Sequence, residues 1–292
     1  MRLIYDLFGK NVKIDKIEKK GKALIVDINN NKYVIKEKNN DIDLIYDYLS
    51  TRGFSYYPKK LFSNDLYNVF EYIDNKKVPY EQKAYDMIEL LSILHDKTSY
   101  YKDIDINEYK ELFENIINKI DYTYNYYTNL ILKVEQNMFM SPASYLLARN
   151  ISKIFEMLNY SKKNIIEWYD NIKLEGKSRV VTLYNNIDLD HILTNKKDYL
   201  ISWDKSIKGN PVYDLYQFYQ KNNKFNFEEL LKHYESKFSL LKEEKLFLFS
   251  LISIPNVVEF TDNELDNCKR LKKIIDNLFK SEVIVFKKKI TN

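Results

Sequence analysis

The sequence predicts an α+β protein, with a small antiparallel sheet first and a larger, mostly helical part after it. Three observations predict this. Residues 1–75 hold five short runs rich in β-branched and aromatic side chains, separated by Gly- and Asn-containing turns. From residue 79 onward, apolar side chains recur at spacings of three and four, the period of amphipathic helices. The stretch 180–216 interrupts that pattern with short strands, a tight turn and a polar loop.

The bulk properties narrow the class. A chain of 292 residues suits one large domain or two lobes with a shared interface. Its hydrophobic content of 45% is enough to build a core. The net charge is +4, from 46 basic and 42 acidic residues that are interleaved, so no basic stripe points to a nucleic-acid partner. The run Lys287-Lys288-Lys289 reads as a solvated tail. Cys268 is the single cysteine, which rules out an internal disulfide and suits the reducing cytoplasm. The first residues, MRLIYDLFGKNVK, lack an apolar core of signal-peptide length, and no run approaches the length of a membrane span.

In chain order, residues 3–8 predict a short helix stopped by Gly9. The runs 12–17, 23–28 and 32–37 predict an antiparallel meander with turns at Lys20-Gly21 and Asn29-Asn30-Asn31. Residues 41–51 carry Ile42, Leu44, Ile45, Tyr48 and Leu49 at helical spacing before a break at Gly53. The runs 60–62 and 67–72 complete five strands. Pro79 opens a helix whose apolar face includes Met87, Ile88, Leu91 and Leu94, ending near His95. Residues 104–173 are helical almost throughout, with Ser141 as an N-cap before Pro142. Tyr122, Tyr124, Tyr126 and Tyr127 in this region read as an interface or as plain surface packing ahead of a pocket lining. Three further helices follow over 227–234, 243–254 and 263–278, with 246–254 apolar enough to be buried.

The stretch 180–216 carries the most specific signal. Val180, Val181 and Leu183 predict a strand, 184–190 a polar turn, and 192–193 with 199–201 two short strands around Asn195-Lys196-Lys197-Asp198. Gly209-Asn210-Pro211 breaks the chain before a helix that has Asp214 in its first turns. Ile192-Leu193, Ile201-x-Trp203 and Gly209-Asn210-Pro211-Val212-Tyr213-Asp214-Leu215 fall in the order and spacing of three motif blocks. With these blocks the chain resembles the aminoglycoside phosphotransferase and choline kinase group, including the spore-coat kinase-like proteins.

The resemblance implies a bilobal protein kinase-like fold. Residues 1–75 would form the N-terminal lobe, and 76–292 a helical C-terminal lobe containing the catalytic-loop-like segment 180–216. It implies that Lys36 pairs with phosphate, that Asp43 or Asp47 supplies its acidic partner, and that the Glu71-Tyr72-Ile73 backbone receives a nucleotide base. The turn at Lys19-Lys20-Gly21-Lys22 has one glycine where a phosphate cradle is usually glycine-rich. Without gaps, the family's catalytic Asp falls on Asn186, its metal-binding Asn on His191 and its metal-binding Asp on Ser202. Asn186 accepts no proton at neutral pH, Ser202 lacks a carboxylate, and His191 offers nitrogen where magnesium prefers oxygen.

These replacements point to a catalytically impaired, pseudokinase-like protein that acts by binding a nucleotide, another small molecule or a protein partner. An alternative alignment makes Asp188 the base and Asp204 the metal ligand of a working kinase, moving phosphate from ATP or GTP with Mg²⁺ to a hydroxyl. A third reading discards the resemblance in favour of a structural or assembly protein with no cofactor.

Overall fold

The computed structural model describes residues 2–9, 11–38 and 42–286. Asp41, the expected start of the second helix, and the basic run Lys287-Lys288-Lys289 lie outside the described residues. The chain divides into two compact units. One joins Met1–Thr98 to Thr182–Ile207, and the other joins Ser99–Val181 to Lys208–Asn292. The lobe boundary expected after residue 75 falls inside the first unit.

The first unit opens with α1 (Arg2–Phe8). Gly9 ends it at φ +89°, a conformation that costs glycine little, and its N–H donates to the Tyr5 carbonyl at 2.9 Å. Five strands follow: β1 (Ile14–Lys20), β2 (Ala23–Ile28), β3 (Asn31–Glu37), β4 (Lys60–Ser63) and β5 (Tyr67–Glu71). They form one antiparallel sheet in the order β1-β2-β3-β5-β4. Asn29 and Asn30 both take positive φ (51° and 63°) and so turn β2 into β3 with the hand that a tight hairpin needs. Side chains alternate between faces, and Ile4 of α1 packs with Val26, Ile28, Ile35 and Val69 to form a core on one of them.

α2 (Ile42–Thr51) buries Tyr46 and Leu49. The Tyr46 ring lies 4.1 Å from Tyr57 and 6.3 Å from Phe70 of β5. α3 (Tyr80–Thr98) buries Ala84, Met87, Ile88, Leu91 and Leu94, the face that its spacing predicts. After the chain returns at Thr182, a 3-10 turn (Leu189–His191) leads into the hairpin of β8 (Ile192–Thr194) and β9 (Asp198–Leu200). A second 3-10 turn (Trp203–Lys205) follows. Trp203 is wholly buried and meets Phe54, Tyr57 and Tyr184 edge-on at 5.7, 6.3 and 5.1 Å. The Leu200 N–H also donates to the Tyr56 carbonyl at 2.8 Å. The two chain segments of this unit therefore share one aromatic core.

The second unit holds β6 (Tyr100–Asp103), α4 (Ile106–Glu135), α5 (Pro142–Leu174), α6 (Val212–Lys221), α7 (Phe227–Glu235), α8 (Lys242–Ile252) and α9 (Glu264–Phe286). β7 (Lys177–Leu183) and β10 (Ile207–Gly209) carry the chain from one unit to the other, in a three-stranded sheet of order β10-β7-β6. β6 and β10 are absent from the sequence expectation. Three of the four residues of β6 are exposed, so it lacks alternation and forms by pairing Tyr100–Asp103 against β7. Ser141 caps α5 as expected, its Oγ accepting from Ser144 N at 3.3 Å with Pro142 in the first turn. In α5, Trp168 stacks on Phe247 of α8 at 4.8 Å. The Arg179 guanidinium makes a two-pronged pair with Glu244, donates to the Ser239 carbonyl at 2.8 Å and lies 4.0 Å from the Phe238 ring. Among the described residues, no helix is long and apolar enough to cross a membrane.

Candidate functional site

The site residues expected from the sequence all lie in the first unit, on β3, on α2, at the end of β5 and just after it, and on the returning segment. β3 carries Lys36 between Ala23 of β2 and Asn68 of β5. Its ammonium donates to Ser202 Oγ at 2.8 Å, across 166 residues of sequence. Burial lowers the pKa of Lys36, and the nearby Asp204 carboxylate opposes that shift. Ser202 takes φ 63° and ψ 58°, a left-handed conformation that costs a non-glycine residue on the order of 1–3 kcal/mol.

The loop before β8 is tied to the segment after β9 by consecutive side chains. The Tyr184 hydroxyl donates to the Ile201 carbonyl. The Asn185 amide donates to the Lys205 carbonyl at 3.0 Å, with its own backbone at φ 53°. The Asn186 amide, buried, donates to the Ser202 carbonyl at 2.8 Å. Each of these three side chains gives a proton to a main-chain oxygen. A carboxylate cannot do that, because when ionised it only accepts. His191 Nδ1 lies 3.0 Å from the Asn186 carbonyl oxygen and so belongs to the same network.

The carboxylates separate into two places. Asp204 acts on Lys36. Asp188 is exposed and its Oδ1 accepts from Asp190 N at 2.9 Å, capping the 3-10 turn. Asp190 in turn accepts from the Tyr80 hydroxyl at 3.2 Å. That hydrogen bond and the Asp190 charge, with lesser help from Asp188, raise the Tyr80 pKa. Asp43 of α2 pairs with Lys60 of β4, and the Asp47 charge bears on the Tyr57 hydroxyl. Neither pairs with Lys36 among the described residues. Nor do three or more His, Cys, Asp or Glu side chains converge there on a common point.

On β5, Glu71 accepts from Lys59 N at 2.8 Å through Oε1, and its N–H donates to the Lys59 carbonyl at 3.0 Å. Ile73 is buried, and among the described residues its main chain makes no hydrogen bond. Lys83 of α3 escaped the sequence reading. It is buried and its Nζ donates to the Leu189 carbonyl at 3.2 Å, bracing the loop from below. The signal was its position: Lys83 falls on the apolar face of α3, with Ala84 and Met87.

A five-stranded antiparallel sheet with a lysine on its third strand, a helix beside it and a returning loop-hairpin segment defines a protein kinase-like fold. The particular likeness is to aminoglycoside phosphotransferases and choline kinases. An aminoglycoside phosphotransferase from Alicyclobacillus acidocaldarius matches over 93% of this chain and 90% of its own, with a TM-score of 0.64 and 11% identity. A spectinomycin phosphotransferase solved with AMP matches over 95% and 98%, with a TM-score of 0.52 and 13% identity. The choline kinase LicA from Streptococcus pneumoniae matches over 94% and 98%, with a TM-score of 0.51 and 15% identity. No family model matches the sequence, and no curated protein matches it.

Proposed function

We propose that this chain is a kinase-like protein that binds a nucleotide or another small molecule and has lost most or all phosphotransfer activity. The observation that carries the reading is the Lys36–Ser202–Asn186 chain of hydrogen bonds. Ser202 meets the lysine with a hydroxyl, and Asn186 turns its amide inward to the Ser202 carbonyl instead of offering a base.

The donor set at the matched positions does not fit Mg²⁺. It comprises an amide, an imidazole and a hydroxyl, each already engaged in this network. A hard cation of this size favours carboxylate, phosphate and water oxygens. Binding is a separate matter. A half-buried ammonium at Lys36 attracts phosphate without a metal, and the free main chain of Ile73 is suited to a base edge. The AMP complex of the spectinomycin phosphotransferase supports a nucleotide as the first ligand to try. One observation favours a second reading, an active kinase. Asp204 is a carboxylate whose field already reaches Lys36, and it would be the surviving metal ligand. Asp188 would then serve as base. The single cysteine suits a cytoplasmic protein.

The test is thermal unfolding with ATP or GTP, each with and without Mg²⁺. A ligand at a hundred times its Kd stabilises the folded state by about 2.7 kcal/mol, so binding raises Tm. The expected result is a rise that does not need Mg²⁺ and is lost in Lys36→Ala. A rise that requires Mg²⁺, together with phosphate transfer abolished by Asp188→Asn or Asp204→Asn, would establish the active kinase instead. Absence of any rise with either nucleotide would favour the structural or assembly reading.

A further inference from the structure

The sheet of the first unit holds a polar side chain to which neither the sequence nor the proposed ligand site gives a role. Asn68 of β5 is 4% exposed, and its Oδ1 is out of water with no hydrogen-bond partner among the described residues. A buried carbonyl without a donor is destabilising, and such groups are few in a folded protein, so each calls for a reason.

Its neighbours narrow the reason. Asn68 lies directly opposite Lys36 in the register of β3 with β5. Opposed residues of an antiparallel pair point to the same face, with Cβ atoms about 4.5–5.5 Å apart. Ile35 and Val69, one residue away on each strand, point into the core that contains Ile4. Lys36 and Asn68 therefore share the other face, which α2 meets through the Tyr46 and Phe70 rings. On its other side Asn68 is opposite Ser63 of β4, which is exposed and makes no hydrogen bond to it among the described residues. Lys36 has three protons to give. One goes to Ser202 Oγ, and among the described residues no other protein atom accepts from it. The acids around it are otherwise disposed. Asp43 is held by Lys60, Asp47 acts on Tyr57, and Asp204 acts on Lys36 through its charge. An acceptor without a donor thus stands one strand away from an ammonium with protons to spare.

We infer that Asn68 is a positioning residue of the ligand site: its side-chain carbonyl accepts a second proton from the Lys36 ammonium, so that, with Ser202 holding the first, the third is aimed at a phosphate oxygen of the ligand. This rests on the reading of Lys36 as the phosphate-binding group. A lysine carries a point charge on a flexible stem, and its rotatable protons fix no direction by themselves. Two protein acceptors turn that charge into an oriented donor. The second acceptor comes here from the neighbouring strand, where the resemblance led to an acid on α2.

The first test needs no ligand. It compares the melting of the parent protein, Asn68→Leu, Ser202→Ala and the double variant, a cycle that isolates the coupling of the two acceptors. Asn68→Leu alone is expected to melt at or above the parent, because it removes an unsatisfied carbonyl and keeps the volume. In the Ser202→Ala background the same change is expected to lower Tm, because there Asn68 is the remaining acceptor for the ammonium. Equal effects of Asn68→Leu in the two backgrounds would overturn the inference, since a carbonyl satisfied by a trapped water or by Ser63 has no coupling to Ser202. The second test is calorimetric titration with ATP in the absence of Mg²⁺. Asn68→Leu is expected to bind about tenfold more weakly than the parent, the loss that goes with one hydrogen bond to a charged group. Equal affinity in the two proteins would overturn the inference. A parent protein that takes up no ATP would instead be the failure of the nucleotide reading, and the melting cycle would still decide whether Asn68 holds Lys36.

Discussion

Asn186 gives a proton to the Ser202 carbonyl, and this has a consequence for any attempt to restore a catalytic acid. In Asn186→Asp, an ionised carboxylate would face a carbonyl oxygen with no proton between them. Losing a buried hydrogen bond and leaving its partner unsatisfied costs about 1–3 kcal/mol. The expected outcome is a lower Tm and a loosened 201–202 segment, with no phosphate transfer in a radiolabelled-ATP assay. Activity in that variant would show that the loop can turn its side chain outward. Lys36 makes the opposite case. Its folded-state pKa lies below the ordinary 10.5, so the charged form is penalised on folding. That cost is present in full below the lowered value and disappears as pH rises from there to 10.5. Lys36→Met is therefore expected to melt above the parent protein at neutral pH, with a margin that narrows in alkaline buffer, while losing any nucleotide-induced rise. A lower melting point at neutral pH would show that the bond to Ser202 outweighs the burial of charge. At this scale the sequence names residues well and relations poorly. Lys36, Asn186 and Ser202 can be picked out by spacing. That Lys36 touches Ser202, and that Asp43 turns to Lys60, depends on side-chain directions that no local pattern encodes.

Elements were legible wherever a period or a stop signal was strong. Gly9 ends α1, Asn29-Asn30 turns the hairpin, Ser141-Pro142 starts α5, and the apolar run of α8 is buried through Phe247, Leu248 and Phe249. β6 and β10 were not, because each is short and mostly exposed, so that its strand character comes from the partner it pairs with. The tyrosines of α4 divide in the same way. Tyr127 is fully buried with its hydroxyl on the Asn256 carbonyl, whereas Tyr122 stays largely in solvent. Spacing places Tyr127 on the packed face, but its partner 129 residues away is a matter of tertiary structure.

The whole molecule is woven rather than strung. Its first unit takes Phe54 and Tyr57 from the early chain and Trp203 from the late one, so Met1–Thr98 alone lacks the centre of its own aromatic cluster. A fragment ending at Thr98 is expected to show poor chemical-shift dispersion and to gain it when the 182–207 segment is supplied by a linker. A well-dispersed spectrum from the short fragment would contradict this. The same feature bears on how the protein is made. A ribosome adding about 5–20 residues per second must translate roughly a hundred more residues after Thr98 before Trp203 emerges. Counted from Tyr57, about 146 residues before Trp203, each nascent copy therefore holds out Phe54 and Tyr57 without that ring for about 7–30 seconds, which makes the segment a target for chaperones.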